Sequence, residues 1–352
     1  MALLAGLLLG GCTAPPAWEQ VETGDVRPAA LAAGQDAVLV AGASGSGPAL
    51  LRLDAAGSKR FELDPAEPYA AQATLVVVAG SGSTVDAVGT VVGGAHGNPR
   101  WTVWDGTENP PRLVSRPQGF FTFGGHDAGP LIALLETPSG PVIVGSRTTN
   151  TGSRAVLYVR KGSTWAPTPS PIALASTAEV QLGFSAAATS GDRMFIAGDE
   201  LLLSGGLDQR PAVWTGSGSE WRLVELPTSG ITGTGLARAT SVACNETACW
   251  LAGWVRGHPV VWSLDPATGA ATLLATLPGE LPAGNDPRAL VSVVGGVPVV
   301  ATNAATPSVQ AGCPSGWRAL ATPGRVSALA ASGSSVYAIA GDVLNRLDAP
   351  TC

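Results

Sequence analysis

Four arginines, Arg27, Arg238, Arg288 and Arg325, stand 15, 15, 14 and 16 residues ahead of the end of a recurring apolar phrase. A guanidinium presents a planar fork of donors that matches a carboxylate or a phosphate. Arginines at equivalent places in a repeat therefore predict an anion site where the repeats converge. Acids stand two residues ahead of two of them, in Asp25-Val26-Arg27 and Asp286-Pro287-Arg288, so internal ion pairing is the competing use. Two aromatic stretches add candidate ligand-binding side chains: Phe121 and His126 within Phe120–Asp127, and Trp254 and His258 within Trp254-Val255-Arg256-Gly257-His258. With Arg147 and the polar run Asp199–Arg210, they suit a sugar or a peptide, where an aromatic face works beside polar groups.

Catalytic constellations are scarce. The chain carries no G-x-S-x-G, P-loop, G-x-G-x-x-G, H-E-x-x-H or EF-hand pattern, and neither a cofactor nor a metal is expected. Its three histidines, His96, His126 and His258, are scattered, and the His126-Asp127 pair reads as a polar loop rather than an acid–base couple. No catalytic residue is assigned.

Composition narrows the field. Across 352 residues, 20 Lys+Arg face 26 Asp+Glu, giving a net charge of −6, which excludes a basic phosphate-binding surface and hence a nucleic-acid partner. Residues 1–11 form a short apolar run ending in small residues, as a secretory signal does. Removing Cys12 leaves Cys244, Cys249, Cys313 and Cys352, an even number that implies two disulfides in an exported chain. Three connectivities exist. The close 244–249 spacing favours a bridge across a tight hairpin, leaving 313 with 352. A zinc site needs a second close pair, which is missing.

The elements that must position these groups show themselves as a repeat. Val38–Gly42, Ala87–Gly89, Val142–Gly145, Phe195–Gly198, Trp250–Gly253, Val299–Thr302 and Tyr337–Gly341 are β-rich phrases ending 47, 56, 53, 55, 49 and 39 residues apart. That period accommodates four strands and their turns, the size of one propeller blade. A small-residue strand precedes each phrase and suits the crowded axis, and an apolar strand follows it. The expectation is an all-β, seven-bladed β-propeller of four-stranded antiparallel blades, with strands A to D running outward from the axis. Residues 1–11 would be the signal, 12–17 a tether and 18–352 the propeller. The seventh unit lacks a D strand, and Trp18–Glu22, which copies the spacing of Trp221–Glu225, would supply it and bring Cys313 near Cys352. The unit at about 288–323 is the least regular, leaving six or eight blades as alternatives.

Two resemblances carry further implications. Leu9-Gly10-Gly11-Cys12 resembles the bacterial lipobox, which implies a lipid on Cys12 and anchorage to the outer side of a bacterial membrane, plain secretion being the alternative. Gly162-Ser163-Thr164-Trp165 and Gly218-Ser219-Glu220-Trp221 resemble the Gly and Trp of the bacterial neuraminidase Asp-box, although its Asp positions hold Arg160 and Gly216. That family implies a propeller, and its sialidases hold a sugar carboxylate with clustered arginines. The leading expectation is a non-catalytic propeller that binds a protein or a cell-envelope glycan through its D–A and B–C loops. The alternatives are a carbohydrate-active enzyme at an arginine-lined channel mouth, and a scaffold recognisable by an exposed apolar rim.

Overall fold

The computed structural model describes residues 17–352 apart from 35, 46, 94–98, 234, 281–286 and 351. Cys12, the signal segment, His96 and Asp286 lie outside the described residues.

Seven separate antiparallel sheets follow one another along the chain. Their innermost A strands are Val26–Ala33, Thr74–Ser81, Ala128–Thr137, Val180–Ser190, Ala237–Cys244, Ala289–Val294 and Val326–Ser332. Each of the seven repeated phrases lies on or overlaps a B strand, from Ala37–Ser44 in blade 1 to Ser335–Ala340 in blade 7. The irregular sixth unit is a full blade whose strands run from Ala289 to Leu320. Blade 2 gains an outer fifth strand, Glu62–Asp64, which pairs parallel with Pro111–Arg116. Among the described residues no helix is long and apolar enough to cross a membrane.

The core is divided among the seams. Seven clusters of buried side chains each join two neighbouring blades, and one containing Val26, Val38, Ile339 and Leu344 joins blade 7 to blade 1. Trp104, Trp214 and Trp262 are fully buried in three of these seams, where a large flat side chain excludes the most water per residue. The ring closes as the repeat predicts: Glu19–Val21 pairs antiparallel with Val343–Asp348 and supplies strand D of blade 7. Both disulfides, Cys244–Cys249 and Cys313–Cys352, are formed, as the spacing suggested.

The glycine of the repeated phrase has a mechanical cause. In blades 1, 4 and 5 strand A carries a β-bulge opposite Gly42, Gly198 and Gly253. A Cβ at those glycines would stand 2.0, 1.8 and 2.1 Å from the carbonyl oxygens of Arg27, Gly183 and Arg238, so only glycine admits that approach. Blade 6 has Thr302 at the equivalent place, and its A and B strands pair without a register shift.

Candidate functional site

Strand direction sorts the connections onto two faces. The D–A and B–C connections share one face with the starts of the A strands, while the A–B and C–D turns share the other with both disulfides.

The four arginines occupy equivalent positions at the starts of strand A in blades 1, 5, 6 and 7, but their side chains are spent differently. Arg238 Nε donates to Asp199 Oδ1 at 2.5 Å, and the buried Asp199 also accepts from Gln209 Nε2 at 2.7 Å. This pair clamps blade 4 to blade 5, so Arg238 is a structural residue rather than a free ligand group. Arg27 and Arg325 are exposed and reach backbone carbonyls, Gly45 O at 3.2 Å and Asn303 O at 3.4 Å. Arg288 is exposed just ahead of strand A of blade 6. Asp25, expected beside Arg27, instead accepts from Ser44 and pairs with Arg60, and the Ser44 bond first, then the Arg60 one, holds its carboxyl below the usual range.

The Trp254–His258 stretch departs from expectation. Strand B of blade 5 continues to Val255 and strand C starts at His258, leaving only Arg256-Gly257 as the turn, with φ of 51° and 91°. Strand alternation then turns Trp254 to the side of Ala252, where it is fully buried between blades 5 and 6. It presents nothing to a ligand, and His258 is half-buried at the strand start.

The Phe120–Asp127 stretch keeps its exposure. Phe120–Phe123 form one helical turn in the connection from blade 2 to blade 3. Phe123 is buried, its ring 4.8 Å from that of Tyr158, and anchors the turn. Phe120 and Phe121 meet edge to face at 5.1 Å and remain 75% and 76% exposed. Arg147 Nη2 holds the turn from beneath, donating to Phe121 O at 2.8 Å and Gly124 O at 3.0 Å. His126 Nε2 lies 2.8 Å from Asp127 Oδ1, and its side chain is 95% exposed.

This turn belongs to a wider pattern. Of the nine large hydrophobic residues exposed among the described ones, seven lie in or at the ends of D–A and B–C connections of blades 2 to 4: Tyr69, Val92, Phe120, Phe121, Ile172, Leu203 and Leu207. The exposed apolar side chains of this face thus gather over blades 2 to 4, while the four A-strand arginines stand over blades 5, 6, 7 and 1.

A residue missed in the sequence stands beside the Phe turn. Arg154, on strand C of blade 3, is the direct cross-strand partner of Arg147. The two line a cavity of about 290 Å³ with Val156, Pro167, Thr168 and Pro169. Positions symmetrical about the Asn150-Thr151 turn were the available signal.

Among the described residues, carboxylates with raised pKa occur at three places, one of them Glu67 in the connection from blade 1 to blade 2, raised by burial. Burial, the neighbouring Glu225 and a weaker opposing pull from Arg210 leave the Glu200 carboxyl above its ordinary value. Glu225 and Arg210 line a polar cavity of about 410 Å³ between blades 4 and 5 with Asp208 and Arg256. Burial also pushes Asp86 up to about 7, against the pull of Arg160, which it contacts between blades 2 and 3. Asp86 is closed off from solvent and opens onto none of the described cavities. The largest described cavity, about 510 Å³, lies on the disulfide face between blades 3 and 4, over Val142, Leu157, Val159 and Met194.

By its fold the chain is a seven-bladed β-propeller. A GH74 xyloglucanase from Xanthomonas campestris is similar to it with a TM-score of 0.55 and 16% identity, over 94% of this chain and 53% of that one. A puromycin-hydrolysing peptidase from Mycobacterium tuberculosis gives a TM-score of 0.53 and 12% identity, over 96% of this chain and 55% of that one. This chain spans about half the length of each, and at such identities the likeness is one of fold alone. No protein-family model and no curated protein matches the chain.

Proposed function

We propose that this propeller is a non-catalytic docking module that holds a protein partner against its D–A and B–C face. The observation that carries it is the apolar arc over blades 2 to 4, centred on a Phe120–Phe121 pair that stays exposed on a turn pinned by Arg147. Adjacent apolar side chains held exposed on a pinned turn favour a docking surface, and Phe, Ile and Leu suit a protein surface better than a sugar ring. The lipobox-like segment ending at Cys12 would tether the chain outside a bacterial membrane. Strand D of blade 7 starts only a few residues later, which turns the disulfide face to the membrane and the apolar arc away from it.

The test compares wild-type protein with F120S/F121S and with Ser219→Arg on the opposite face. Proteins retained from envelope extracts are purified and titrated against all three. The expected result is a binding constant at least tenfold weaker for F120S/F121S and unchanged for S219R. Equal binding by all three, or oligosaccharides binding at the Phe pair instead, would overturn the reading.

A second reading, glycoside hydrolysis, is favoured by Glu200 alone, a carboxyl with a raised pKa coupled to Glu225 beside the 410 Å³ cavity. Product release from xyloglucan or other polysaccharides, abolished by Glu200→Gln, would replace the docking proposal with it.

A further inference from the structure

We infer that the Arg147–Arg154 cavity is a carboxylate pocket that receives an Asp or Glu side chain of the partner docked on the Phe turn. It rests on the docking reading above. Two guanidinium groups directly across a strand pair repel each other, and an anion between them removes that repulsion. Among the described residues no ion pair or side-chain hydrogen bond occupies Arg154, and no acidic residue lines the cavity. Arg147 uses Nη2 for the Phe121 and Gly124 carbonyls, which leaves Nε and Nη1 free to donate.

The rest of the lining adds no competing donor. The Thr168 and Ser170 hydroxyls are turned away, donating to Leu157 O at 3.1 Å and Ala155 O at 3.0 Å. Val156, Pro167 and Pro169 supply apolar walls, against which an ion pair is stronger than in open water. A volume of about 290 Å³ falls at the lower limit for a small-molecule site and suits one carboxylate side chain. The pocket is also held in place: the Arg154 backbone bridges to Ala175, and Ser153 O accepts from both Ser176 N and Ser176 Oγ. Ile172, 92% exposed, lies two residues along from Ser170, and Phe121 is joined to the pocket through Arg147. An acidic side chain flanked by apolar ones matches this combination.

The first arm of the test follows the Arg154 Nε–H signal of the full chain by NMR, assigned with R154Q. Acetyl-Glu-amide, acetyl-Gln-amide, succinate and inorganic phosphate are the probes, and Arg193, which lies on the opposite face and has no ion pair among the described residues, is the control. The inference expects a saturable shift with acetyl-Glu-amide and succinate, none with acetyl-Gln-amide, and no movement of Arg193. R154Q should unfold at a midpoint no lower than wild type, since it removes a like-charge contact. An equal response at Arg193, an equal response to the Gln probe, or a preference for phosphate over both carboxylates overturns the inference.

The second arm uses the purified partner. R154Q should weaken its binding about tenfold and flatten its salt dependence. If F120S/F121S abolishes binding while R154Q changes neither quantity, docking stands and the carboxylate pocket falls. If the probes bind at Arg154 while F120S/F121S leaves partner binding intact, the pocket stands and the docking reading falls.

Discussion

A buried acid records the balance between solvation and pairing in a single number. Asp86 contacts Arg160 across the seam between blades 2 and 3, yet removal from water outweighs that attraction and leaves its carboxyl at about 7 rather than 3.8. Glu136 at the same seam is raised by burial too. A carboxyl whose pKa is higher folded than unfolded keeps its proton in the native state. Its contribution is therefore full below about pH 4 and is lost as pH rises through 7. The difference between 3.8 and about 7 corresponds to roughly 4 kcal/mol. Urea unfolding between pH 4.5 and 7.5 should show wild-type stability falling with pH, and Asp86→Asn should flatten the slope; identical slopes would remove this account. None of this was legible from residue types, because Asp86 and Arg160 are 74 positions apart and meet only when two blades pack. The same holds for Arg238, whose register position was readable but whose partner Asp199 belongs to another blade.

At the level of strands the sequence was far more legible, for a steric reason. The glycine that closes the repeated phrase in blades 1, 4 and 5 is demanded by the bulge in the facing strand, so local geometry writes itself into the sequence there. Gly253→Ala would place a methyl carbon 2.1 Å from Arg238 O and 2.8 Å from the Ala239 Cα, both backbone atoms that cannot step aside. The expected loss is about 3 kcal/mol or more, with the Arg238–Asp199 clamp displaced as well. Thr302→Ala, at the equivalent place in the bulge-free sixth blade, removes only a hydroxyl contact with Ser308 and should cost about 1 kcal/mol. Thermal unfolding of the two variants side by side decides it, and comparable losses would show that the bulge is not what requires the glycine. Trp254 was misplaced for a related reason. Its strand ends one residue later, in a turn of two residues, so alternation rather than loop exposure sets its direction.

Closure of the ring is a property of the whole molecule, and its fastening is short. Strand D of blade 7 pairs over only three residues, Glu19–Val21, while the chain must keep blades 7 and 1 in contact to bury Val26, Val38 and Ile339. Two further ties hold blade 7 and its closing strand to blade 6 on the other side. Trp18 Nε1 donates to Ala321 O at 2.7 Å across 303 positions, and Cys352 is bonded to Cys313 in blade 6. The two disulfides therefore do different work. Cys244–Cys249 closes a separation of five residues inside one hairpin, and Cys313–Cys352 closes 39 and joins two blades. Loop-closure entropy assigns them about 2 and about 4 kcal/mol respectively. Replacing Cys313 and Cys352 by serine should lower the unfolding midpoint more than replacing Cys244 and Cys249. Hydrogen exchange should then rise first in Val326–Ser332 and Val343–Asp348, the strands next to the seam, before it rises in blades 2 to 4. Equal losses for the two pairs, or exchange that rises uniformly around the ring, would mean that the seam is no weaker than any other junction. A seam that opens first would leave the apolar arc on blades 2 to 4 intact, and partner binding should then persist in the C313S/C352S protein at temperatures where its closure has already loosened.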